Sequence, residues 1–169
     1  MMIVRLAREN EVPALAAIGL DAWEKAVSGV ADAQAMRRVA ELSFLSFLRS
    51  NWFSVSVIET GGAVAGWAAR EDKDGTISDL WVEPSLQRNG LGSSLLADLE
   101  QRIFTGGFEA AMIRTHVQNA QAIGFFQKHG YAISSLSTAY APKLDRDVES
   151  VGMTKMFVEV AAQQGQQWF

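Results

Sequence analysis

The 169-residue chain contains no cysteine. That absence excludes a disulfide framework, a thiol nucleophile and a thiolate metal site. The two histidines, His116 and His129, fall in different segments and lack the i, i+4 spacing of a helical metal pair, so no metal is expected. Basic residues never cluster beyond Arg37-Arg38, and the formal net charge is −4. A nucleic-acid binder would carry a basic stripe and an anionic membrane would call for a basic segment, so neither partner is expected. No apolar run approaches the length of a bilayer span. The first residues, Met1-Met2-Ile3-Val4-Arg5-Leu6, lack the basic and long apolar regions of a secretory leader. A cytoplasmic protein is the expectation.

Hydrophobic residues make up 49% of the chain and charged residues 20%, enough to bury one full core. With no internal repeat and no linker, a single domain over residues 1–169 is expected, with the Gln-rich end, 161–169, mobile.

Residues 2–8 alternate weakly and read as a first strand. Asn10 is placed to cap a first helix, with Glu11 at its positive end and Pro13 in its first turn. Leu15, Ile18, Ala22 and Ala26 share a helical face that stops near Ser28-Gly29. Asp32 is the expected cap of a second helix carrying Met36, Ala40, Phe44 and Phe47. Phe53, Val55 and Val57 alternate as a strand, and Thr60-Gly61-Gly62 turns it into a hairpin with 63–69. A turn at 72–75 leads to a strand over 76–83, which Pro84 ends. Leu91, Leu95, Leu96, Leu99 and Ile103 give a helix that Gly106-Gly107 terminates. A strand at 110–117 follows, then a helix at 120–129 capped by Asn119. The last strands are expected at 131–137 and 150–160, with an Asp- and Pro-containing loop at 139–149 between them.

The strand, helix and strand of 76–117 form a parallel crossover. Its first loop, Gln87-Arg88-Asn89-Gly90-Leu91-Gly92, delivers a helix N-terminus to the carboxyl edge of the sheet, where open α/β sheets bind ligands. The N–H groups of residues 88–93 have no intrahelical acceptor and point along the positive end of the helix dipole. Glycine at 90 and 92 removes the Cβ atoms that would keep a phosphate oxygen away. The loop has no Gly-Lys-Ser/Thr and no third glycine, so an uncleaved diphosphate fits it better than a hydrolysed triphosphate.

Val82-Glu83-Pro84-Ser85-Leu86-Gln87-Arg88-Asn89-Gly90-Leu91-Gly92, followed by Leu95-Leu96, resembles motif A of the GNAT superfamily of acetyl-CoA-dependent N-acetyltransferases. Downstream, Asn119-Ala120-Gln121-Ala122-Ile123-Gly124-Phe125-Phe126-Gln127-Lys128-His129-Gly130-Tyr131 is similar to that family's motif B. The resemblance spans about residues 2 to 160. It implies an α/β (α+β) fold with a mixed, twisted sheet of about six to seven strands, about four helices, and a central parallel pair splayed around the coenzyme. It also implies that the backbone of Gln87, Arg88, Asn89, Gly90, Leu91, Gly92 and Ser93 holds the diphosphate of acetyl-CoA. Leu80 and Val82 would pair with the pantetheine arm through their backbone, Asn119 would lie near the sulfur, and Phe125, Phe126 and Tyr131 would wall the pocket. Asn119 also reads as an ordinary helix cap, and the two roles can coexist.

The implied activity is transfer of an acetyl group to a primary amine of a small molecule, peptide or protein. A non-catalytic acyl-CoA-binding module and transfer of another acyl group, or to a hydroxyl, are the alternatives; a homodimer is a compatible assembly. An amine acceptor is mostly protonated at neutral pH, so a base or a water leading to one is expected. The family often protonates the departing sulfur with a tyrosine at the position held here by Phe126, which has no hydroxyl. His116, Asp79 and Tyr140 are the candidate proton-transfer residues, with Glu83 a further carboxylate; each also has an ordinary reading as a strand or loop residue, the commoner role for such a residue. Trp23, Trp67 and Trp81 are core residues or an amine pocket, and Asp21, Glu24 and Asp32 a solvated face or an attraction for a cationic acceptor.

Overall fold

The computed structural model describes residues 1–29, 32–71 and 74–157. Seven strands and four helices follow one another: β1 (Met2–Leu6), α1 (Val12–Val27), α2 (Ala33–Asn51), β2 (Ser56–Thr60), β3 (Ala63–Arg70), β4 (Ile77–Val82), α3 (Leu91–Thr105), β5 (Ala110–His116), α4 (Ala120–Lys128), β6 (Ala132–Ala141) and β7 (Arg146–Met156). The mixed α/β fold expected from the sequence is the one observed.

Strands β1 to β4 form an antiparallel meander, and β5, β7 and β6 form a second antiparallel sheet in that spatial order. The two sheets meet where β4 and β5 begin. There Thr76 bridges Met112 in parallel, and the Met112 N–H donates to the Gly75 carbonyl at 2.9 Å. Beyond that point the strands run on to Val82 and His116 with no ladder between them. The parallel pair is therefore splayed, and its open end points toward the α3 N-terminus.

Helices cover both faces. Val57, Trp67 and Ala69 pack with α1 and α2, whereas Ile58, Ala68 and Ile77 pack with α3. Burial on both faces explains why 65–69 reads as an apolar run rather than an alternation. The fully buried Trp67 satisfies its indole N–H on the Leu15 carbonyl at 2.8 Å and meets Phe44 edge-on. α1 and α2 cross closely at Gly19, where any Cβ would lie 2.8 Å from the Phe44 ring.

Several boundaries differ from the sequence-based expectation, each for a local reason. Asn10 is not a cap: it lies inside a 3-10 turn at Glu9–Glu11, where the Glu11 carboxylate accepts the Arg8 N–H at 2.8 Å. Arg5 then holds that carboxylate in a bridge shared with Glu59. Phe53 is not in a strand; it sits in a 3-10 turn at Trp52–Ser54, exposed, and β2 starts at Ser56. The expected loop at 139–149 is mostly ladder, because β6 and β7 pair from Ala132↔Thr154 to Ala141↔Arg146, with one register shift between Ile133 and Ser135. Only residues 142–145 turn, with Asp145 at φ 48°. Asp32 does cap α2, accepting the Ala35 N–H at 3.2 Å. The end of the last expected strand and the Gln-rich tail lie outside the described residues. No helix among the described residues is long and apolar enough to cross a membrane.

Candidate active site

The register of β3 with β4 decides which backbone groups face the gap. Glu83 N–H donates to the Ala65 carbonyl at 2.8 Å, so by strand alternation the peptide groups of Trp81 and Glu83 point to β3. Those of Leu80 and Val82 point the other way, toward β5. The Val82 carbonyl on that side accepts from the Gln87 side chain at 3.3 Å.

After Pro84–Leu86 the chain turns through two left-handed residues, Arg88 at φ 72° and Gly90 at φ 80°, before α3 begins. Glycine carries such a φ without strain, whereas arginine does not, so Arg88 stores strain at the loop. The N–H groups of residues 88–93 find no acceptor among the described residues, and the first capping bond is Ser94 N–H to the Gly90 carbonyl. A Cβ on Gly90 would point into open space, while one on Gly92 would touch the Phe125 ring at 3.4 Å. Gly90 thus keeps the nest open, and Gly92 lets α3 approach α4.

This nest opens into a cleft of about 560 Å³ between α1, β4, α3 and α4. Of the residues expected at a coenzyme, Leu80, Val82, Gln87, Arg88, Gly90, Leu91, Gly92, Ser93, Asn119, Phe125 and Phe126 all line it, and Asn89 does not. Asn89 turns its side-chain amide back to the Leu86 carbonyl. Tyr131 does not wall the cleft either. It lies buried behind Phe126 with its hydroxyl donating to Glu100 at 2.8 Å, and burial pushes that hydroxyl's pKa far above its ordinary value.

The cleft's charge is one-sided. Lys25, Arg88 and Lys128 line it, and among the described residues no Asp or Glu does, although the chain as a whole is acidic. Lys25, Gln121 and His129 were not singled out for this cleft by the sequence. Lys25 reaches from α1 to the Gln87 Oε1 at 3.1 Å, and Gln121 from α4 reaches the same atom at 3.3 Å. His129 Nδ1 faces the Phe125 carbonyl at 2.8 Å, so it carries a proton there. Its Nε2 lies 2.9 Å from the Ser93 hydroxyl and, in the neutral ring, accepts from it.

A second cleft, of about 460 Å³, opens on the other side of the splay, under α1 and the β6–β7 hairpin. The two share Ala26, Trp81 and Asn119. Asn119 caps α4 by accepting the Ala122 N–H at 3.2 Å, and its amide donates to Thr115 at 3.3 Å. His116 lines the second cleft, and neither ring nitrogen has a hydrogen-bond partner among the described residues though both are buried. Burial holds its pKa below the ordinary histidine value, and the nearby Ala26 carbonyl partly opposes that shift.

The other two candidates for proton transfer are placed differently. Asp79 is only 9% exposed and lines neither cleft; its carboxylate accepts from the Ser78 hydroxyl and the Trp81 indole, each at 2.9 Å. Its visible work is to orient Trp81. Tyr140 lines the second cleft, but it is 58% exposed and its hydroxyl donates to Asp145, which raises its pKa. Glu83 accepts from Ser85 and lines neither cleft. Trp23 and Trp81 line the second cleft, whereas Trp67 is core. Arg37 pairs with both Asp21 and Glu24, so those carboxylates are not free to draw a cationic acceptor. Among the described residues no group of three or more His, Cys, Asp or Glu could hold a metal.

The splayed parallel pair, with an N–H nest at its mouth and a cleft on each side, is the arrangement that the resemblance to the GNAT superfamily implied. The chain belongs to the acetyltransferase (GNAT) family, whose model matches residues 20–131. No curated protein matches the sequence. Among solved structures, a GCN5-related N-acetyltransferase from Rhodopseudomonas palustris aligns with a TM-score of 0.76 at 19% identity, over 91% of this chain and 94% of that one. The PaiA N-acetyltransferase of Thermoplasma acidophilum, solved in complex with coenzyme A, aligns at 0.73 and 14% identity over 92% and 99%. The ribosomal-protein-S18-alanine N-acetyltransferase of Escherichia coli aligns at 0.69 and 20% identity over 93% and 94%.

Proposed function

We propose that the protein transfers the acetyl group of acetyl-CoA to a primary amine. The observation that carries this reading is the pair of clefts meeting at Trp81 and Asn119, one with an N–H nest and only cations among its described charged lining residues, the other holding an unpartnered histidine. When bound, acetyl-CoA supplies the thioester and a thiol leaving group. The backbone N–H groups of residues 88–93 and the Lys25 ammonium hold its diphosphate. Leu80 and Val82, whose peptide groups face the gap, pair with the pantetheine arm and offer an N–H to the acyl oxygen. Neutral His116 takes the proton that the amine must lose as its nitrogen bonds to the acyl carbon. The carbon–sulfur bond then breaks, and the thiolate is protonated by water, because Phe126 has no proton to give and the Tyr131 hydroxyl is committed to Glu100.

A second reading, a non-catalytic acyl-CoA-binding module, is favoured by that same missing hydroxyl. Free-thiol release from acetyl-CoA across a panel of amines separates the two. Turnover with any amine supports the transferase, and tight acetyl-CoA binding without turnover supports the module. Longer acyl-CoA donors in the same assay test the choice of acyl group.

A further inference from the structure

Strand β5 lines the second cleft from Met112 to His116; Met112 and Arg114 are exposed on it, while Ala111 and Ile113 are buried in the core on the α3 and α4 side. Arg114 makes no ion pair among the described residues, like Arg8, Arg49, Arg70, Arg88 and Arg146, and of these it alone lines the second cleft. The ladder beside it is notched. Arg114 pairs with Gly152 on β7, and the place a Gly152 Cβ would take is filled by the Ser135 hydroxyl from β6. That hydroxyl has no hydrogen-bond partner among the described residues, unlike its neighbour Ser134, which bonds to Thr154. Arg114 from β5 and Ser135 from β6 thus flank a β7 position with no side chain, and neither side chain has a hydrogen-bond or ion-pair partner among the described residues. Lys143 adds a second cation to the cleft from the hairpin turn, and Glu71 is the only described carboxylate among its lining residues.

We propose that Arg114 and Ser135 form a carboxylate-anchoring subsite, so that the acceptor is an amine bearing its own carboxylate, such as a free amino acid. This inference rests on the acetyl-transfer reading above. A guanidinium meets a carboxylate with two parallel N–H bonds, and the Ser135 hydroxyl supplies a third donor from the side. Arg114 and His116 are two positions apart on β5, about 6–7 Å along one face, a spacing that a small amino acid can span. The anchored carboxylate fixes one end of the acceptor and turns its amine toward the unpartnered imidazole. A polyamine would instead bring positive charge to a cleft that already holds Arg114 and Lys143.

The test compares free α-amino acids with their methyl esters, with spermidine and with an alanine-terminated peptide, by thiol release from acetyl-CoA. The expected result is a kcat/KM for at least one amino acid about tenfold or more above its ester, the worth of a charge-assisted hydrogen bond. In R114A that ratio should fall to about one through KM, R114K should restore part of it, and R114E should favour the ester. Circular dichroism and acetyl-CoA calorimetry on each variant confirm a folded, coenzyme-competent protein. Esters, spermidine or the peptide turned over as well as the amino acids, or a ratio indifferent to R114A and R114E, would overturn the subsite while leaving acetyl transfer intact. No turnover with any amine overturns both.

Discussion

Lys25 is the sharpest probe of the coenzyme cleft, because it comes from α1, far in sequence from the glycine loop. Its ammonium lies 3.1 Å from Gln87 at the loop's first position, in a cleft without a described carboxylate. A diphosphate on the 88–93 nest would lie within a few ångströms of that charge. At about 4 Å, a unit-charge pair is worth about 1 kcal/mol in bulk water and about 4 kcal/mol in a partly shielded site. Lys25 is exposed, so the lower part of that range applies, and Lys25→Ala should raise the Kd for acetyl-CoA about tenfold. Calorimetry against acetyl-CoA and against S-acetylpantetheine, which lacks the diphosphate, isolates the effect. The loss should appear only with acetyl-CoA and should shrink as salt is raised. Equal losses for both ligands, or none for acetyl-CoA, would refute the placement of the diphosphate beside Lys25.

Gly90→Val should cost about 1–2 kcal/mol of stability through its left-handed φ, leave the domain folded, and weaken acetyl-CoA binding strongly, as read by thermal melts and calorimetry. Phe126→Tyr should change turnover by less than about a hundredfold, because expelling a thiolate of pKa about 8.5 at neutral pH costs only about 2 kcal/mol. A native protein that binds but never turns over, switched on by Phe126→Tyr, would select the binding module. Since burial lowers the His116 pKa, its proton-accepting form persists to more acidic pH than a free imidazole's. Beside the limb set by the acceptor amine's own protonation, the kcat/KM profile should therefore carry a second, more acidic limb at that pKa, and His116→Gln should remove this second limb alone.

The parts of the site built from consecutive residues were legible in the sequence. The glycine loop, the Asn119 cap and the aromatic pair of α4 each combine a local conformation with a local side-chain pattern, and each sits where that pattern puts it. Contacts across long separations were not legible. Nothing around Lys25 announces that α1 will bring it to Gln87, sixty-two positions away. Asp79 looked like a candidate base because it lies beside Leu80 and Val82, the residues expected to pair with pantetheine, and only the fold reveals that Ser78 and Trp81 already occupy its oxygens. The same holds at the N-terminus, where Arg8 and Glu11 close the turn that Asn10 seemed suited to open. At the hairpin, Pro142 and the aspartates suggested a long loop. The ladder runs on past them because β6 is an edge strand with most of its side chains in solvent, so polar residues incur no desolvation cost there.

The central claim is that the two clefts join an acetyl-CoA site to an amine site, and thiol release from acetyl-CoA, measured alongside acetyl-CoA calorimetry on the same preparation, tests it most directly. The account predicts saturable acetyl-CoA binding, and thiol release that depends on an added amine, yields one acetylated product per thiol, and is lost together with binding in Gly90→Val. A protein that fails to bind acetyl-CoA, or whose thiol release is indifferent to every amine, would contradict it.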